Sequence, residues 1–98
     1  MIRHIVLFKY KADVTDRQKE TLAYELESLA NSISTIKSLQ VGLDVGAKNN
    51  SYDLALNTLF DSVEDVEAYA AHPAHIKVLD TIGQLCQSTV KVDYETED

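Results

Sequence analysis

The sequence predicts one α+β domain with a four-stranded antiparallel sheet and helices on a single face, and three observations predict it. Apolar residues recur first at strand spacing, then at helical spacing, in the order β, α, β, β, α, β. Two of the strand segments are apolar on both faces, whereas the other two alternate apolar with polar. The 98 residues, 45% of them apolar, suffice for one core and not two. This order is the split-βαβ, ferredoxin-like pattern, with strands one and three central and strands two and four at the edges. The expected domain is the whole chain, residues 1–98.

The first strand is expected over His4 to Tyr10, where Ile5 and Leu7 oppose Val6 and Phe8. Thr15 then opens a helix, with Gln18 three residues on, the spacing of a capping box. Leu22, Leu26, Leu29 and Ile33 form its apolar stripe, while Asp16, Lys19, Glu20 and Glu27 occupy other faces.

Leu39, Val41, Leu43 and Val45 alternate with polar residues and glycine, as a half-buried strand does. Gly46 to Ser51, with Asn49-Asn50, reads as a turn leading into a third strand from Tyr52 to Phe60. In that strand Leu54 and Leu56 oppose Ala55 and Leu59.

Ser62 caps the next helix, whose inner face is expected to carry Val63, Val66 and either Tyr69 or Ala70. Pro73 cannot sit inside a helix without kinking it, but it suits the first position of a new one. The renewed helix is expected to turn Ile76, Leu79 and Ile82 inward, with Leu85 at its end. Val90, Val92 and Tyr94 alternate with Thr89, Lys91 and Asp93 in a last strand from Ser88 to Tyr94, and Glu95 to Asp98 read as an acidic tail.

Two helical segments cover one face of such a sheet and leave the other, apolar in the central strands, in need of a cover. Open apolar faces of that size are rare on soluble monomers. Each large apolar side chain buried contributes roughly 1.5–3 kcal/mol. Pairing two sheets about a twofold axis is therefore expected, with the termini or the 46–51 loop as the alternative cover.

The net charge of −7, with nine scattered basic residues, argues against nucleic acid and anionic membranes as partners. The short apolar run from Ile5 to Phe8 spans neither a signal-peptide core nor a bilayer, so a cytoplasmic location is expected. The single cysteine, Cys86, forms no intrachain disulfide and reads as a small buried residue at a helix end.

Three histidines carry the chemical interest. His4 shares a strand face with Val6 and Phe8, and His72 and His75 flank Pro73-Ala74. The latter pair lacks a nearby cysteine or carboxylate at ligand spacing, so no metal site is expected. Acid–base chemistry is the other candidate. Histidine shuttles protons near neutrality, and a tyrosine hydroxyl orients a carbonyl. Tyr69 and His75 sit around the helix break, and His4 enters the same space from the sheet. Spacing alone leaves two readings open: such a site, or half-buried polar residues that fix the kink, with His72 capping the second helical piece. No nucleophile elbow and no phosphate-cradling glycine loop is present.

These segments resemble the stress-responsive A/B-barrel (Dabb) family. The resemblance rests on His4-Ile5-Val6-Leu7-Phe8-Lys9, Val41-Gly42 followed by Asp44, Tyr52-Asp53-Leu54-Ala55-Leu56 followed by Phe60, and Val92-Asp93-Tyr94. Its most specific part is Ala68-Tyr69 followed by His72-Pro73-Ala74-His75, and the matches span essentially the whole chain in order. The resemblance implies a homodimeric α+β barrel. It brings with it plant stress-induced proteins, many bacterial members without an assigned role, and a plant polyketide cyclase that performs a cofactor-free aldol condensation.

Carried over by position, His75 corresponds to the cyclase's general base, Tyr69 to its carbonyl-binding tyrosine and His4 to a pocket histidine. Another pocket tyrosine falls at Leu26, and Tyr24, two positions away, faces another direction on a helix. Ser34-Thr35 stands where many members have a proline-glycine turn. The resulting expectation is His75, Tyr69 and His4 as catalytic residues, with His72, Leu26 and Phe8 contacting a small apolar carbonyl ligand. No cofactor is expected. The same family pattern fits a binding or dimerisation module without chemistry.

Overall fold

The computed structural model describes residues 1–46 and 48–97. The elements run β1 (Ile2–Tyr10), α1 (Asp16–Ser32), β2 (Ser38–Leu43), β3 (Leu54–Phe60), α2 (Val63–Ala71), α3 (Pro73–Leu85) and β4 (Cys86–Glu95). The sheet order is β2-β3-β1-β4, and every neighbouring pair is antiparallel. The doubly apolar strands β1 and β3 are the central ones, so the ferredoxin-like topology read from the pattern is the observed one.

Local chemistry sets the element boundaries. The Thr15 hydroxyl accepts from the Gln18 N–H at 3.2 Å, and the Gln18 side chain accepts from the Thr15 N–H at 2.9 Å. That reciprocal pair satisfies two amide donors that a helix start otherwise leaves unbonded. Ser62 caps α2 by accepting from the Asp65 N–H at 3.2 Å. β2 ends at Leu43, before the expected Val45, which is 90% exposed. There Asp44 accepts from the Gly46 N–H, and Gly46 adopts φ 76°, a left-handed turn that glycine enters without a steric penalty. The rest of the turn expected over 46–51 includes Ala47, which lies outside the described residues. Thr96 pairs with Met1 through backbone hydrogen bonds in both directions, so β4 and its continuation are tied to the start of β1 rather than forming a tail from Glu95 onward. Asp98 lies outside the described residues.

All three helices pack on one sheet face. Its core joins Phe8, Leu54, Leu56 and Phe60 of the sheet to Leu22, Leu26, Leu29 and Ile33 of the α1 stripe, with Tyr69, Val78 and Leu85 from α2 and α3. Cys86 is buried where α3 passes into β4.

The inner face of α3 differs from the expected one. Ile76 and Leu79 are 53% and 47% exposed, while Val78 and Leu85 are buried and Ala74 and Ile82 pack against the core. Apolar residues surround more than half of this helix, so periodicity fits more than one stripe. Packing against α1, reinforced by the Thr81 hydroxyl donating to Glu25 at 2.9 Å, selects the stripe Ala74, Val78, Ile82, Leu85. Ile76 then points roughly half a turn away from Leu85. In α2, Val66 and Tyr69 face inward, and Val63 is exposed.

Register assigns the sheet's other face. Ile5 lies opposite Val92, Leu7 opposite Val90 and Arg3 opposite Tyr94. Leu7, Val90, Val92 and Tyr94 are between 36% and 52% exposed, and no described segment of the chain covers them.

Candidate active site

The break between α2 and α3 builds one wall of the site. His72 has extended dihedrals (φ −68°, ψ 137°) and ends α2; its Nδ1 accepts from the Ala74 N–H at 3.0 Å and caps α3, with Pro73 in the first turn. In an uninterrupted helix, Tyr69 and His75 would lie about 120° apart around the axis and about 9 Å apart along it. Across the break, their ring centroids are 4.5 Å apart. The turn at His72 therefore converts two residues on different helical faces into one pair.

The sheet supplies the other wall. His4 on β1 is 6% exposed, and its ring lies 5.7 Å from Tyr69 and 6.3 Å from Phe60. Phe60 is in turn 5.1 Å from Tyr69. Opposite His4 on β4 stands Asp93, and His4 Nδ1 pairs with its carboxylate. On the other side, the buried Thr58 hydroxyl donates to the His4 carbonyl at 3.1 Å.

Between these walls lies a cavity of about 250 Å³. Phe8, Leu26, Leu29, Leu56, Val66 and Val78 make it apolar, and His4, Tyr69 and His75 supply convergent polar groups. This is the usual build of a small-molecule site. Thr89, Lys91 and Asp93 of β4, with Ala70 and Leu79 of the helices, line it while remaining exposed, and so mark its mouth.

Protonation states follow from the surroundings. Burial pushes the Tyr69 hydroxyl up to about 12, so it keeps its proton. Among the described residues none hydrogen-bonds that hydroxyl, which leaves its proton available to a ligand. Burial is the largest influence on His75 and lowers its pKa below the ordinary value; the nearby His4 and Lys91 act in the same direction, and the Ala70 carbonyl opposes them. His75 Nδ1 lies 3.1 Å from that carbonyl. A carbonyl only accepts, so Nδ1 carries the hydrogen and Nε2 holds the free lone pair. The arrangement pairs a neutral base with a neutral hydroxyl donor in apolar surroundings.

Of the residues singled out in the sequence, His4, Tyr69, His75, Leu26 and Phe8 all line this cavity. His72 does not; its ring is turned to the α3 N-terminus. Tyr24 is 73% exposed, and the residues of α1 that line the cavity, Leu26 and Leu29, are apolar. Sequence reasoning did not select Asp93, Lys91 and Thr89. Their alternation with Val90, Val92 and Tyr94 was visible, but only the β1–β4 register shows that the polar side faces the helices. Among the described residues, no group of three or more histidine, cysteine or carboxylate side chains is placed to hold a metal.

The family described as Stress responsive A/B Barrel Domain matches residues 2–96. The chain belongs to this family. Olivetolic acid cyclase of Cannabis sativa is 30% identical over 95% of this chain and 94% of its own length. Two solved structures resemble this A/B-barrel chain in both fold and sequence. A dimeric ferredoxin-like protein of unknown function from Thermobifida fusca matches with TM-score 0.89 and 32% identity, over 97% of this chain and 90% of that one. A dimeric protein of ferredoxin-like fold from Bacteroides fragilis matches with TM-score 0.82 and 33% identity, over 97% and 95%.

Proposed function

We propose that this A/B-barrel chain is a cytoplasmic homodimer whose helix–sheet cavity performs cofactor-independent acid–base chemistry, cyclase- or lyase-like, on a small carbonyl compound. The observation that carries the reading is the meeting of the Tyr69 and His75 rings in one apolar cavity.

In this reading His75 Nε2 takes a proton from the carbon next to a carbonyl. The C–H electron pair moves toward the carbonyl oxygen, which receives a hydrogen bond from Tyr69. Burial keeps Tyr69 protonated, so it acts as a donor. The same burial strengthens that hydrogen bond, because the surrounding dielectric is low. The carbanion then attacks a second carbonyl carbon, whose C=O π pair moves onto its oxygen and takes up the proton held on His75 Nε2, or the carbanion itself is reprotonated from that nitrogen; either way the base is regenerated. His4, held by Asp93, offers a second position for a proton. A positioned base of this kind contributes on the order of 10²–10⁴-fold in rate.

Dimerisation is supported by the uncovered apolar face of β1 and β4 and by the dimeric state of the Thermobifida and Bacteroides relatives. One further observation favours a second reading, a binding module without turnover. Leu26 gives the cavity an aliphatic side chain beside the aromatic cluster, and so one fewer polar group to hold a reacting oxygen.

The test is exchange of the protons next to the carbonyl of 2-octanone in deuterated buffer, followed by NMR. The wild-type protein should accelerate it above an equal concentration of free imidazole. His75→Ala should remove the acceleration, and Tyr69→Phe should reduce it at least tenfold. Acceleration that survives His75→Ala would refute the assignment of the base. Saturable binding of 2-octanone without any acceleration would favour the binding module.

A further inference from the structure

The cavity contains one charged group that the chemistry above does not use. Lys91 lies on the helix-facing side of β4, opposite Val6, and lines the mouth of the cavity. It is the one lysine or arginine among the described lining residues. No ion pair or hydrogen bond engages its ammonium among the described residues. The nearest carboxylate on the same strand face, Asp93, is already taken by His4.

We infer that Lys91 is a docking point for the carboxylate of the ligand, and that the cavity takes an amphipathic monoanion: an apolar body carrying one carboxylate at its outer end. This rests on the small-molecule reading of the same cavity and narrows the class of molecule it takes. The cavity's layout sets the order of the ligand's parts. The walls from Phe8 to Leu56 are apolar, the His4, Tyr69 and His75 cluster lies against them, and Lys91 stands on the exposed strand at the entrance.

A monoanion fits better than a phosphate. A dianionic phosphate calls for several donors, typically arginine or a glycine-rich loop, and a single flexible ammonium is a point charge suited to one carboxylate. The chain's overall charge of −7 also repels anions at long range. A lone local cation therefore discriminates between charged and neutral ligands at this mouth. The charge of Lys91 reaches the reacting region as well, since it helps to hold His75 in its neutral form.

Lysines are also placed on edge strands to discourage pairing with other chains. That role is indifferent to what occupies the cavity, so a ligand comparison separates the two. The experiment titrates octanoate and octanamide, of equal chain length, into the full-length protein, following cavity amides by NMR. Wild type should bind octanoate at least tenfold more tightly than octanamide. Lys91→Met should abolish the difference by weakening octanoate alone, and Lys91→Arg should keep most of it. Lys91 is exposed on an edge strand, so both variants should fold.

Equal affinities in wild type, or a preference that survives Lys91→Met, would overturn the assignment while leaving the cavity reading in place, because octanamide would still occupy it. If neither compound moved the cavity amides, both readings would fall.

Discussion

His72 separates an architectural role from a ligand-binding one, and a single substitution tests which it has. Its Nδ1 accepts from the Ala74 N–H at 3.0 Å at the start of the 13-residue α3, and its ring does not line the cavity. His72→Ala removes that acceptor. Loss of a helix N-cap costs about 1 kcal/mol, within a range of roughly 0.5–2. Pro73 already lacks an N–H, and its fixed φ preorganises the first turn, so the lower half of that range is expected. For a domain of this size, 1 kcal/mol lowers Tm by roughly 4–8 °C. Thermal unfolding followed by circular dichroism should show a loss of a few degrees in His72→Ala, and His72→Asn, a good cap, should restore most of it. Octanamide affinity should change less than twofold in either variant. Two results would refute the reasoning. If His72→Ala and His72→Asn are both as stable as wild type, the cap contributes nothing. If His72→Ala keeps its Tm and loses ligand, the imidazole belongs to the binding site.

Because burial and neighbouring positive charge hold the folded-state pKa of His75 below 6.5, the unfolded chain binds more protons between that lowered value and 6.5. Stability should therefore fall as pH drops through this window; denaturant titrations at several pH values should show the slope, and His75→Ala should flatten it. Any kcat/KM profile should have its acid limb below the ordinary imidazole range for the same reason. On the outer sheet face, Val92→Glu places a carboxylate where a 52% exposed valine meets the proposed partner. Sedimentation should shift from dimer to monomer with the secondary structure retained, and a wild-type protein that sediments as a monomer would refute the sheet-to-sheet pairing.

Much of the fold was legible because its determinants are local. Thr15 and Gln18, Ser62, and His72 with Pro73 each act within three residues, so their spacing alone marks the helix starts. The doubly apolar runs of β1 and β3 announced central strands, since only a strand covered on both sides can carry such a pattern. The helix break at His72 was also legible, and with it the possibility that Tyr69 and His75 meet.

Tertiary structure alone decided the rest. Six apolar residues spread around α3 satisfy helical spacing in more than one way, and only contact with α1 turned Ala74 and Val78 inward and left Ile76 outside. The alternation in β4 gave two faces without saying which met the helices. The register of β1 against β4 set Asp93 beside His4 and brought Lys91 to the cavity mouth, pairings separated by nearly the whole chain. Periodicity is a property of one segment and carries no information about rotation or register relative to another. Elements, their order and their caps are therefore readable from short stretches of chain, while the choice of inward face and the cavity's charged rim come from packing segments that are distant along it.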